Sequence, residues 1–147
     1  MIRPAAVADA LRIAEILIFS KRANYREIFR DDKVSFGEMQ VYPLAQSYIE
    51  NPEKLAGVWL FDDEFVKGMV HIEENEIAEL YIDPFFENQG IGSKLIEFAV
   101  RRMHCDYLWV LEKNEGAIRF YQRHGFVLTE EKKLQEGTTE FIVKMKR

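Results

Sequence analysis

Apolar residues recur between Ala8 and Ile28 at Leu11, Ile13, Ala14, Leu17, Ile18 and Tyr25, the spacing of one helical face. Asp9 and Glu15 stand toward its start, and Lys21, Arg22 and Arg26 toward its end, the order that suits the helix dipole. Ile2-Arg3-Pro4 predicts a short strand ahead of it. Residues 31–40 read as a loop, and Leu44–Glu50 as a second helix stopped by Asn51-Pro52. The middle of the chain changes rhythm. Leu55–Phe61, Phe65–Ile72 and Ile77–Ile82 are apolar runs separated by Asp62-Asp63 and Glu73-Glu74-Asn75 and ended by Asp83-Pro84, which predicts three strands in a meander. Beyond Gly90-Ile91-Gly92 a helical face returns at Leu95, Ile96, Ala99, Val100 and Met103. Tyr107–Leu111 predicts a strand and Ala117–Arg123 a helix ended by Gly125. Phe126–Glu131 and Thr139–Met145 predict a closing hairpin around Glu136-Gly137. The order implies an α/β chain with a mixed sheet and helices on its faces.

The chain has 147 residues, with no repeat, low-complexity segment or linker, so residues 1–147 read as a single domain. A net charge of −5 argues against a nucleic-acid partner bound by phosphate neutralisation. It is compatible with a cationic amine. Cys105 is the only cysteine and has no partner for a disulfide or a metal site. No apolar run approaches the ~20 residues of a membrane span, and no signal segment is visible at the start. The expectation is a cytoplasmic protein with no membrane partner and no metal.

The most informative segment runs from Leu80 to Leu95. A strand ends at Asp83-Pro84, a short loop follows, and Gly90 and Gly92 open a helix. Without Cβ atoms, a ligand can lie close to the backbone there. The first amides of the helix point outward without internal partners and suit a phosphate or pyrophosphate. A Walker loop is excluded, because Gly92-Ser93-Lys94 has the wrong order. A dinucleotide fingerprint is excluded, because Leu95 stands where a third glycine belongs.

The segment resembles the acyl-CoA signature of the GNAT superfamily of N-acetyltransferases, Arg/Gln-x-x-Gly-x-Gly/Ala after a strand ending in Asp-Pro. Gly90 and Gly92 match its glycines, and Glu87 departs from its Arg or Gln. A second block agrees in identity and spacing: Asn114, Ala117, Tyr121, Gly125 and Phe126 are similar to the family's Asn-x-x-Ala-x-x-Phe-Tyr-x-x-x-Gly-Phe. The resemblance implies a mostly antiparallel sheet of about seven strands with helices on both faces. It implies acetyl-CoA as co-substrate and a primary amine as acceptor. It leaves a homodimer open. The competing reading is a non-catalytic CoA-binding sensor.

By the same resemblance, the strands at 77–82 and 107–111 splay apart and receive the pantetheine arm. Backbone of Leu80, Tyr81 and Ile82 bonds it, and a backbone N–H near Leu80 or Tyr81 polarises the thioester. The turn formed by Glu87, Asn88, Gln89, Gly90, Ile91, Gly92, Ser93 and Lys94 holds the pyrophosphate, and Asn114 and Ala117 meet the arm. Tyr121 is the general acid. For the general base the candidates are Glu79, placed slightly ahead, Glu76 and His71. Strand alternation puts the two glutamates on opposite faces unless a bulge intervenes. Relatives that acetylate ribosomal-protein N-termini carry a glutamate five residues before the asparagine, where this chain has Trp109. The acceptor pocket is expected from the unmatched segment, at Asn24, Tyr25 and Phe29, with Phe36 and Tyr42. Core packing is the preferred reading of Trp59.

Overall fold

The computed structural model describes the chain from Met1 to Arg147, with the side chains of Val34 and Glu38 outside the description. Its element order is β1 (Ile2–Pro4), α1 (Ala10–Phe29), α2 (Val41–Glu50), β2 (Val58–Asp63), β3 (Phe65–Glu73), β4 (Glu76–Ile82), α3 (Ile91–Arg101), β5 (Tyr107–Leu111), α4 (Glu115–Arg123), β6 (Val127–Leu134) and β7 (Phe141–Lys146). The strands form one seven-stranded sheet in the order β1-β2-β3-β4-β5-β7-β6. Every pairing is antiparallel except β4 with β5. That parallel step follows from connection length: β4 and β5 are joined through α3, whereas β2, β3 and β4 are joined by tight turns.

The sheet is sandwiched. On one face α1 lays Ala10, Ile13 and Ile16 on Val58, Leu60, Val66 and Met69, and α2 adds Tyr48. On the other face α3 buries Ile91, Leu95, Ile96 and Ala99 against Val70, Ile72, Ile77, Leu108, Val143 and Met145. Alternation along the strands divides the two cores, and the register shift between β2 and β3 lets Val66 face α1 while Val70 faces α3. Among the described residues no helix is long and apolar enough to cross a membrane.

Three expectations shift. The stretch read as a loop at 31–40 contains a π-type turn at Lys33–Glu38. The second helix begins at Val41, ahead of the expected Leu44, with Pro43 in its first turn, where a missing N–H costs nothing. The fourth helix starts at Glu115 because the Asn114 side chain accepts the Ala117 N–H at 3.2 Å and caps it.

The exit of β4 is anchored to α1. Ser20 Oγ donates to the Ile82 carbonyl at 2.6 Å. Arg12 pairs with buried Asp83 at 2.8 Å and donates to the Val66 carbonyl at 2.8 Å. The end of β4 and the turn after it are therefore held at a fixed height over the sheet. Gly68 of β3 sits beneath this junction. A Cβ there would lie 2.8 Å from Ile82 Cδ1 and 3.2 Å from both Ile91 Cγ2 and Leu95 Cδ1. Gly68→Val is expected to overpack the seat of α3 and cost about 2–3 kcal/mol, read as a lower urea midpoint at unchanged slope.

Candidate active site

Strands β4 and β5 pair only at Glu76–Tyr107 and Ile77–Leu108. Beyond these two positions the edge of β4 that faces β5 has no strand partner, and a cleft of about 820 Å³ passes through the gap. From one side of the sheet, Lys21, Asn24, Tyr25 and Phe29 of α1 reach it. From the other side come the start of α3 and the inner face of α4. Backbone groups without ladder partners must be met by another chain, water or a ligand. The open edge suits an extended amide-bearing chain lying between the strands.

The register of β3 with β4 contains a bulge. His71 faces Glu79 and Ile72 faces Ile77, so Ala78 has no partner of its own. The extra residue resets the alternation and brings Glu76 and Glu79 to one face, together with His71 and Glu73. Glu79 lines the cleft. Its carboxylate lies 3.5 Å from His71 Nδ1, while Glu73 lies 3.7 Å from His71 Nε2. Glu79 raises the affinity of His71 for its proton through that close contact. Partial burial opposes the shift less strongly, and the charges of Glu79 and Glu73 add to it. Glu76 does not line the cleft and sits beside Tyr107.

Three tyrosines complete the centre. The hydroxyls of Tyr25 and Tyr81 are 3.4 Å apart. Burial pushes both upward, and the charge of Glu79 works in the same direction. Tyr121 is also held well above the ordinary tyrosine range, by burial first and by Tyr25 second. Tyr48 is pushed up to about 12 by burial and by Glu79. All four stay protonated near neutral pH, so each can donate a hydrogen bond and none is a base.

The glycine turn needs its glycines for two different reasons. Gly90 caps α3 at φ 82°, a left-handed backbone, and a Cβ there would meet nothing within 4 Å. Gly92 leaves room for α4, since its Cβ would stand 3.2 Å from Phe120 Cζ. Among the described residues no side chain caps the start of α3, so its first amides face outward, a setting that suits an anion. Burial, then the charge of Asp83, raises the Glu87 carboxyl at the edge of this turn.

The cleft collects most of the residues expected at the cofactor: Leu80, Tyr81, Ile82, Glu87, Asn88, Gly90, Ile91, Gly92, Ser93, Asn114, Ala117 and Tyr121 line it. Gln89 and Lys94 do not; the Lys94 ammonium sits 5.5 Å from the Phe61 ring. Of the residues expected at the acceptor, Asn24, Tyr25 and Phe29 line it. Phe36 lies against Arg22 and Arg26, Tyr42 is exposed, and Trp59 packs on Phe98 on the far face of the sheet. Sequence reasoning missed Lys21, Met39, Phe120 and Arg123 as lining residues. It also missed His124, whose Nε2 is 3.1 Å from Ser93 Oγ and ties α4 to the turn. Arg123 and His124 lie inside the second motif block at positions the motif leaves free, which is why they carried no signal.

Residues 22–126 match the model of the acetyltransferase (GNAT) family, and the chain belongs to that family. It is 36% identical over 94 residues to an uncharacterized N-acetyltransferase of Methanocaldococcus jannaschii, a match covering 60% of this chain and 40% of that protein. It is 33% identical over 81 residues to the peptidyl-lysine N-acetyltransferase YiaC of Escherichia coli, covering 54% of this chain and 53% of that protein. The matched segments thus span about half the length, or less, of these curated relatives. The fold is similar to the solution structure of apo YjaB from Escherichia coli, with a TM-score of 0.79 at 21% identity, over 99% of this chain and 95% of that one. It is also similar to the PaiA N-acetyltransferase of Thermoplasma acidophilum in complex with coenzyme A, with a TM-score of 0.70 at 21% identity, over 100% and 98%.

The His71–Glu79 pair makes stability depend on pH. The folded value of His71 lies above its unfolded one. The pair therefore contributes fully below the ordinary histidine value of about 6.5, and the contribution is lost as pH rises through the folded value. His71→Gln is expected to flatten the fall in unfolding free energy above pH ~6.5, as measured by urea titrations across pH.

Proposed function

We propose that the chain is an acetyl-CoA-dependent N-acetyltransferase acting by direct attack of an amine on the bound thioester, and that its acceptor is the ε-amine of a polypeptide lysine. The observation that carries this reading is the meeting, in one cleft, of an unpaired β4 edge, an uncapped helix start behind Gly90, a carboxylate at Glu79 and a protonated phenol at Tyr121. The lysine assignment is supported by the names of two relatives, the peptidyl-lysine N-acetyltransferases YiaC of Escherichia coli and YjaB of Salmonella typhimurium. It is also supported by Tyr25, Phe29 and Tyr81 beside Glu79, a setting for an apolar stem with a cationic head.

In this reading the start of α3 takes the pyrophosphate, and the pantetheine amides extend the sheet along β4. Glu79 accepts a proton from the ammonium, directly or through a water. The neutral nitrogen attacks the carbonyl carbon, a C–N bond forms, and charge develops on an oxygen near the β4 amides around the bulge. The C–S bond breaks as the Tyr121 hydroxyl gives its proton to the departing sulfur, and solvent returns that proton to Tyr121. His71 supports Glu79 from behind and touches no substrate. Holding both reactants in one cleft accounts for a large part of the acceleration. Lys21 and Arg123 are cations that line the cleft; Arg123 packs on Phe120, which presses on the turn where Glu87 replaces the family's Arg or Gln.

Acetyl-CoA at a hundredfold excess over Kd is expected to raise the melting temperature by roughly 5–10 °C. No shift at millimolar acetyl-CoA would overturn the cofactor assignment. Tyr121→Phe should keep that shift and lose about 10²-fold in kcat on a lysine peptide, and Glu79→Gln should lose a similar factor. Binding without turnover across a broad amine panel would instead identify a CoA sensor.

A further inference from the structure

Helices α1 and α2 cover only part of their face of the sheet. The core on that side draws on β2 and β3, with Tyr81 of β4 packed against it, and includes no residue of β5, β6 or β7. In those three strands Leu108, Val110, Val143 and Met145 point the other way, into the core beneath α3. The register therefore leaves Tyr107, Trp109, Lys133, Ile142, Lys144 and Lys146 on a face that no helix core covers, part-exposed or exposed, with Leu111 the buried member of the same row. This face carries a positive charge that contrasts with the net −5 of the chain. Lys133 Nζ sits 4.2 Å from the centroid of the Trp109 ring. Lys144 Nζ sits 4.5 Å from the Tyr107 ring and 5.9 Å from Trp109. Lys144 and Lys146 share one carboxylate, Glu131, at 3.6 Å and 3.8 Å. Among the described residues, Lys133 has no carboxylate at ion-pair distance.

Across the β4–β5 gap the same face has the opposite sign, with Glu73, Glu76 and Glu79 around His71. The cleft lies between the two regions and joins them, because Glu79, Trp109 and Ile142 all line it. A ligand that fits both ends carries a cation at one end and an anion at the other. Three strand spacings separate β4 from β6, at least about 14 Å at ~4.8 Å each, and more where β4 and β5 have parted. An extended peptide covers that distance in about four residues.

We propose that the open face of β5, β7 and β6 docks the polypeptide around the acceptor lysine, and that it selects an aspartate or glutamate within about two to five residues of that lysine. The acidic side chain pairs with Lys133 and Lys144 while the backbone lies over Trp109. This rests on the lysine-acetylating reading above and adds a sequence preference to it. Aromatic rings clamped under ammonium groups keep those groups oriented, so less side-chain freedom is lost when the acid binds.

The test uses the full chain with acetyl-CoA and three peptides identical except at the third residue from the lysine, which is Glu, Gln or Arg. The Glu peptide is expected to have the highest kcat/KM and the Arg peptide the lowest, about 3- to 10-fold apart, with most of the spread gone at 0.5 M salt. In the Lys133→Glu, Lys144→Glu double variant the order should reverse; an unchanged thermal shift with acetyl-CoA verifies its fold. Equal rates on all three peptides would overturn the preference and leave lysine acetylation standing, as would a preference that survives the double variant. Turnover of small amines with none of any lysine peptide would overturn the lysine reading itself. Inhibition by a single-stranded oligonucleotide, with no discrimination among the peptides, would reassign the face to nucleic acid.

Discussion

The architecture depends on a pairing that stops early. β4 and β5 share two register positions and then diverge. A sheet strand with an unpaired edge in its middle carries exposed N–H and C=O groups that ordinary packing avoids. Here the cost is tolerated because both strands are secured on their other edges, β4 by β3 and β5 by β7. Arg12–Asp83 and Ser20–Ile82 pin the far end of β4 to α1. The gap is thus a rigid slot, and the cleft is its direct consequence.

The bulge at Ala78 does in one residue what alternation forbids. It places Glu76 and Glu79 on the same face and directs Glu79 over His71. Around that carboxylate stand phenols that burial keeps protonated: Tyr25, Tyr81 and, across the gap, Tyr121. The environment therefore separates the roles. A carboxylate thus stands among hydroxyls that can only donate. That division suits a reaction in which a proton leaves one substrate and another is delivered to a leaving group.

The two signature glycines illustrate how one motif serves two constraints. Gly90 is required by a backbone conformation, and Gly92 by the approach of Phe120 from α4. The second links the two motif blocks physically: the helix of the second block can press on the turn of the first only because position 92 has no side chain. Ser93 and His124 add a polar tie at the same junction.

The sequence by itself determined the element order, the seven strands, the glycine turn and the cap at Asn114, because each rests on local periodicity, turn chemistry or a fixed spacing. It also put Tyr121, Asn114 and the turn at 87–94 forward together, through two motif blocks whose register agrees, and of these all but Gln89 and Lys94 line the cleft. It did not determine which glutamate enters the cleft. That choice turns on a bulge, which is a property of pairing with β3 and leaves no mark in β4 alone. Nor did it separate Tyr25 and Phe29, which line the cleft, from Phe36 and Tyr42, which do not, since all four lie in a segment without a motif. The face of Trp109 and its lysines was equally invisible: β5 and the β6–β7 hairpin are distant in sequence from α1 and α2, and only the tertiary arrangement decides which side of a strand a helix covers.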